Sequence, residues 1–367
     1  MQGGSPLSIA SERNSFMESP WKRFGSSHYL GRIFIVLTLL CVAALQPASG
    51  QSCTIIKDLG TLPGGRSSLA HGINDRGQVV GEATTSSSTF SFHAFLFDNG
   101  AIRDLGTLPG GQFSIAYGIN DHGQAVGFSN TVSAFAHAFL FENGAMADLG
   151  TLPGDSSSQA LGINNRGQVV GFSSSASGVS HAFLFDNGVM KDLGTLPGIN
   201  SSQATGINNR GQVVGFSNTG SAIAHAFLFD NGVMKDLGTL PGGNFGQATG
   251  INDRGQVVGA SNTANGGASH AFLFDNGVMK DLGTLPGGNF SQATGINARG
   301  QVVGFSNIAS GGSFHAFLFD NGAMVDLGPL PGGTFKLANG INIRGQVAGD
   351  LVTASGSGHA AICTLTP

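Results

Sequence analysis

The chain has 367 residues, of which 60 are glycine and only 10% are charged, with a formal charge of −4 at pH 7. Few charges beside 40% apolar residues exclude a highly charged disordered chain and argue for short buried strands joined by tight turns. Phosphate contacts draw on clustered Lys and Arg, so the balance also excludes nucleic acid as an expected partner.

Residues 1–50 share no pattern with the rest of the chain. Lys22, Arg23 and Arg32 precede an uncharged run from Ile33 to Leu45, and Pro47, Ala48, Ser49 and Gly50 close it. Charged, then apolar, then small is the order of a secretory signal, with cleavage expected between Gly50 and Gln51. The apolar run of 13 residues is short for a membrane span, which needs about 20, so an uncleaved leader is the only membrane attachment expected. The stretch before Lys22 is long for a signal, which makes Met17 an alternative start. The leader carries four basic residues and two acidic ones, leaving 13 basic against 19 acidic and a formal charge of −6. Cys53 and Cys363 remain, an even number for an oxidising compartment.

From residue 51 onward one unit is written seven times. His-Ala recurs at His93, His137, His181, His225, His270, His315 and His359, at spacings of 44 or 45, and Gly-Ile-Asn recurs from Gly72 to Gly340. A period of this length signals a solenoid, a propeller or an array. Within one unit four short strands are expected: Ala248 to Asn252; Gln256 to about Ser261; His270 to Phe274; and Met279 to about Leu285. Asn252-Asp253-Arg254-Gly255 turns the first into the second, and Asp275-Asn276-Gly277-Val278 is a hairpin signal between the third and fourth. Pro286-Gly287-Gly288 stops the last, since Pro cannot donate to a ladder. Four antiparallel strands per unit make the blade of a β-propeller, whose neighbours must cover its Phe and Leu side chains. The expected fold is therefore all-β, a seven-bladed propeller of four-stranded antiparallel blades spanning residues 51–367.

The ends of the repeated region are out of phase with the blade. Thr54 to Gly60 matches a fourth strand alone, and Leu337 to Leu365 supplies three strands and stops. The N-terminal strand is thus expected to complete the last blade as its outermost member. Cys363 stands in place of the last Phe of the third strand and Cys53 in place of the hairpin Asn, so a disulfide is expected across the join.

His-Ala-Phe-Leu-Phe-Asp-Asn-Gly, Asp-Leu-Gly-Thr-Leu-Pro-Gly-Gly and Gly-Ile-Asn-x-x-Gly-Gln-Val-Val-Gly resemble the bacterial HAF-repeat family of probable extracellular proteins. The resemblance covers about residue 53 to the end. It implies an exported repeat protein and brings no catalytic residues with it. The last copy departs from the pattern as His359-Ala360-Ala361-Ile362-Cys363, consistent with a terminal unit.

The residues point to no catalytic, cofactor or metal site. The repeated His fall one per blade on third strands, too far apart for one coordination sphere, and are expected to be buried and to bond to backbone or to a repeated carboxylate such as Asp236. The Asn of Gly-Ile-Asn and the Arg at 76, 166, 210, 254, 299 and 344 read as turn chemistry, with His122 replacing the Arg in one unit. Glu82, Glu142, Asp155 and Asp350 are singletons that nothing in the pattern brings together, so no acid–base pair is expected. A hydrolase or lyase in the central channel is the alternative, and a purely structural surface protein a third reading. Alternate loops of a blade emerge on opposite faces, and Phe113, Phe245, Phe290 and Phe335 lie in the longer ones, beside Gln112, Asn244, Asn289 and Thr334. Aromatic faces with neutral hydrogen-bonding groups suit a glycan or cell-surface polymer, and such a partner is expected there. The competing reading has these rings plugging gaps between blades.

Overall fold

The computed structural model describes residues 51–86, 91–133, 135–198, 200–218, 224–263, 267–309, 312–330, 333–354 and 356–366. The expected leader, 1–50, lies outside the described residues. The described chain forms seven antiparallel sheets, each built from strands consecutive in sequence except the last. In a typical blade, the fifth, the strands run Gly246–Ile251, Val257–Asn262, Ser269–Asp275 and Val278–Gly283 from the axis outward. This is the seven-bladed β-propeller expected from the repeat.

Local chemistry explains the blade. Each Asn-Gly hairpin places both residues at positive φ (Asn276 49°, Gly277 84°), the geometry that matches strand twist and that Gly adopts without strain. One hydrophobic cluster fills each of the seven interfaces between blades. Between blades 1 and 2, Leu105 and Leu108 of Asp-Leu-Gly-Thr-Leu pack with Phe139 and Phe141 of the next His-Ala-Phe-Leu-Phe strand. Phe139 is fully buried, and burying a ring of that size contributes about 1.5–3 kcal/mol. The two halves of the repeat are thus two sides of one interface.

The last sheet closes the ring. Its strands are Gly333–Ile341, Gln346–Thr353 and Gly358–Thr366, with Ser52–Asp58 from the N-terminus paired on the outside and Pro329–Leu330 added on the inside. Asp58 takes the role of the fourth-strand Asp, bonding His359 at 2.8 Å. Cys53 and Cys363 form a disulfide with Cα atoms 5.7 Å apart. The two are not directly opposed: Cys53 faces Leu365 and Cys363 faces Ile56, and a bulge between Cys53 and Ile55 accommodates the offset. Such a bridge suits a non-cytoplasmic compartment.

A ring of asparagines ties the blades together on the short-turn face. In the Gly-Ile-Asn turn of blade 4, Asn208 Oδ1 accepts from the backbone N–H groups of Arg210 and Gln212. Its Nδ2 donates to Gln212 Oε1 and, across the interface, to the carbonyl of Asn252 at 3.0 Å. The same cross-blade bond runs from Asn74 to Asn120, to Asn164, to Asn208, to Asn252, to Asn297, to Asn342 and back to Asn74. The sequence pattern identified turn residues; the structure adds that each also clamps its neighbour.

Candidate functional site

The innermost strand of every blade carries a β-bulge at the same place, between the Ala and Gly that flank the residue before Gly-Ile-Asn. A bulge leaves one residue out of the ladder and re-aims its side chain. Nearby glycines permit this crowding. A Cβ on Gly81 would lie 1.9 Å from the Leu69 carbonyl, and one on Gly118 would lie 3.4 Å from the Cα of Gly162 in the next blade.

The seven bulged residues are His71, Tyr117, Leu161, Thr205, Thr249, Thr294 and Asn339. Six of them, with Gln292, line one axial cavity of about 500 Å³ on the long-loop side. Below it, seven isoleucines from Ile73 to Ile341 narrow the channel, and beyond them the Asn ring and Asp75, Asp121 and Asp253 form a polar mouth. Elsewhere the protein is close to sevenfold symmetric; here it is not. Thr205, Thr249 and Thr294 each donate to the carbonyl of the next blade's inner strand, and Asn339 Nδ2 does the same to Ala70 at 2.7 Å. His71, Tyr117 and Leu161 replace that staple with rings and a branched chain. The rings of His71 and Tyr117 sit 5.0 Å apart, and Tyr117 stacks on Phe128 at 6.0 Å.

One strand further out, the residue after Val-Val-Gly (Ala125-Val126-Gly127 in blade 2, Val347-Ala348-Gly349 in blade 7) reads Glu82, Phe128, Phe172, Phe216, Ala260, Phe305 and Asp350. Ring closure places the two acidic exceptions on adjacent blades. Asp350 Oδ1 accepts from Ala70 N–H at 3.2 Å, which fixes it against blade 1. Burial, together with the charge of Asp350, pushes Glu82 up to about 7, and burial pushes Asp350 up to about 6 against the pull of its bonds from Ala70 and Asn339. Burial also lowers His71 to about 4, so the imidazole is neutral, and its Nε2 is buried without a hydrogen-bond partner. Tyr117 is raised by burial and by the proximity of Glu82.

These shifts set a pH dependence. Glu82 holds a proton in the folded chain that the unfolded chain releases above its ordinary value of 4.5, so its contribution to stability declines as pH rises toward 7. His71 acts in the opposite sense: the unfolded chain gains a proton below 6.5 that the folded chain refuses until about 4, so stability falls on acidification through that window. Glu82→Gln is therefore expected to stabilise the protein at about pH 8, by on the order of 1–2 kcal/mol after allowance for partial exposure, with little gain near pH 5. Thermal melts of the two proteins across that range check it; a gain at acid pH alone would contradict it.

The loop residues read from the sequence fall elsewhere. Phe335 is fully buried and does not belong to a ligand face. It is an interface plug. Blade 7 has Ala361 where the other blades have a buried third-strand Phe, and Phe335 reaches Gly349 as Phe95 reaches Gly81. Phe113 packs against Phe92 and Phe128, and Phe290 against Phe305 and Phe314. Asn262 Oδ1 accepts from the N–H groups of Asn244 and Phe245, and its Nδ2 donates to Asn244 Oδ1; Asn307 treats Asn289 and Phe290 likewise. These bonds shape the Pro-Gly-Gly loops. Phe245 is half-buried, and Asn244 and Gln112 are exposed, so this rim retains accessible groups.

Each repeated His bonds its fourth-strand Asp through Nδ1 at 2.8–2.9 Å, and Asp236 is the partner of His225 as expected. The imidazoles are partly exposed, except His315, which is buried. Among the described residues no group of three His, Cys, Asp or Glu is placed to hold a metal. The hairpin Asp residues of blades 3 to 6 each accept from a Gln of the neighbouring turn, for example Asp230 from Gln212 at 3.0 Å, so they do not form a free charged ring.

No protein-family model matches the chain, and no curated protein matches it. Among solved structures the chain is similar to a puromycin hydrolase, with a TM-score of 0.54 and 12% identity over 81% of this chain and 51% of that one. It is similar to a puromycin-hydrolyzing peptidase of Mycobacterium tuberculosis, with a TM-score of 0.52 and 11% identity over 83% of this chain and 53% of that one. The β-propeller domain of the Trilobed protease from Pyrococcus furiosus is also similar, at 0.48 and 11% identity over 72% of this chain and 82% of that domain. The likeness is one of fold alone. The chain spans about half the length of the first two proteins.

Proposed function

We propose that the protein is an exported HAF-repeat module that binds a glycan or other cell-surface polymer without turning it over, and that the ligand enters the axial cavity. One observation carries this reading: seven bulges break the repeat at one level, and six of the bulged side chains, of five different types, line a single cavity. Its volume of about 500 Å³ falls in the range of small-ligand sites, and it combines aromatic faces with hydroxyl and amide groups. Export rests on the leader composition and agrees with the disulfide.

A glycan array probed with the purified protein tests the proposal. Tyr117→Ala is expected to abolish retention, whereas Phe245→Ser with Phe290→Ser is expected to lower thermal stability and leave retention intact. The opposite pattern, or no retention by the unaltered protein, overturns it. A hydrolase or lyase is the second reading, and Glu82 favours it. A carboxyl that titrates near 7 beside a second carboxylate has the poise of a general acid. Turnover of a retained polymer, lost in Glu82→Gln, would decide for the enzyme.

A further inference from the structure

The wall of the axial cavity shared by blades 7, 1 and 2 has an imbalance that the rest of the ring lacks. The residues that line it include no Lys or Arg, and two carboxylates stand directly behind them: Asp350 beside Asn339 and Glu82 beside Tyr117. The Glu82 carboxylate makes no hydrogen bond or ion pair among the described residues, and every ion pair there joins a repeated His to its Asp. Asp350 receives one backbone N–H at 3.2 Å and only a distant amide at 3.5 Å. His71 Nε2 is buried with no partner. The rings of His71 and Tyr117 stand beside these groups, 5.0 Å apart. Two partly buried carboxylates, an unpartnered imidazole nitrogen and aromatic faces together lack one compact positive donor.

We propose that this wall of the cavity binds a protonated primary amine carried on a hydroxylated frame, that is, an amino sugar with its amino group free. The ammonium supplies three N–H donors and the missing charge, and Glu82 and Asp350 receive it. The frame is a sugar rather than a peptide because, apart from Leu161, the remaining lining is hydroxyl and amide: Thr249, Thr294, Gln292 and Asn339. The Thr249 and Thr294 hydroxyls already donate to backbone carbonyls and offer their lone pairs, while the Gln292 and Asn339 amides add further polar groups for ring hydroxyls. The inference rests on the axial cavity being the ligand site and adds the charge that the ligand must carry. It also accounts for the raised Glu82 carboxyl, which a bound ammonium would draw back down with release of a proton.

Calorimetric titration at about pH 6, where the amine is already charged and Glu82 still holds its proton, with a fully de-N-acetylated glucosamine trimer tests this, with the N-acetylated trimer, a glucose trimer and a tri-lysine peptide as comparison arms. The free-amine trimer is expected to bind at least about tenfold more tightly than the acetylated and neutral sugars, and to release protons when the titration is repeated in buffers of different ionisation heat. Glu82→Gln and Asp350→Asn, each checked by thermal melt, are expected to remove that preference, bringing the free-amine trimer to the affinity of the acetylated and glucose trimers for the same variant. Equal affinity for the three sugars overturns the amine assignment but leaves the axial site standing if Tyr117→Ala abolishes binding of all of them. Tri-lysine binding as tightly as the free-amine sugar overturns the sugar frame.

Discussion

Removing the disulfide, by Cys53→Ser with Cys363→Ser or by reductant, is expected to cost about 3–5 kcal/mol and to lower the melting temperature by roughly 5–10 °C. The bridge joins residues 310 apart, and closing so long a loop removes more freedom from the unfolded chain than any short bridge does. It does not act alone. Leu59 N–H donates to the Ala360 carbonyl, Ala360 N–H to Ser68 Oγ, and His359 meets Asp58, so the join repeats the contacts of every other blade. The reduced ring is thus expected to remain closed under mild conditions and to open first at blade 7 on heating. Melts with and without reductant check this: the unaltered protein shifts and the double Ser protein does not. An unshifted melt of the unaltered protein would show that the bridge contributes nothing.

Asn208→Ala should destabilise by about 3–4 kcal/mol, the largest loss expected from a single short polar side chain here. Asn208 is 3% exposed and makes four hydrogen bonds, two that shape its own turn and two through Nδ2, one of which crosses to blade 5. Its truncation leaves two backbone N–H groups, a carbonyl and the Gln212 amide short of partners in a site that water reaches poorly. A neighbouring position provides the contrast. Asp253 accepts from Asn209 N–H at 2.8 Å but is exposed, and the chain already carries Ala298 and Ile343 at that place in other blades. Asp253→Ala is therefore expected to cost no more than about 1 kcal/mol. Chemical denaturation of the two variants measures the difference, and equal losses would contradict the clamp.

The periodic residues are the readable part of the sequence. Asn276-Gly277, Pro286-Gly287 and the alternation in His-Ala-Phe-Leu-Phe each encode a local geometry, and repetition multiplies that signal until blade count, strand order and ring closure emerge. Phe335 is misread from sequence because its neighbours there, Pro-Gly-Gly and Thr, mark a loop. Only the ring shows that Ala361 leaves a gap for it. The axial site is hidden for the opposite reason. Glu82 and Asp350 stand 268 residues apart and look isolated until the ends of the chain meet. The repeats nevertheless contain a signal. Aligned on Gly-Ile-Asn, the preceding residue runs His, Tyr, Leu, Thr, Thr, Thr, Asn, and a position that varies inside a repeated frame is free of the frame's packing. The bulge that aims it cannot be read from alternation alone, because an inserted residue breaks the period of two on which that reading depends.

The position of a bound fragment tests the account most directly. A crystal structure of the protein with an oligosaccharide that it retains is predicted to show the sugar in the axial cavity, one ring against Tyr117 and a donor within hydrogen-bond reach of Glu82. Density instead on the Phe245 and Phe290 loops, or at the Asn-lined mouth, would contradict it.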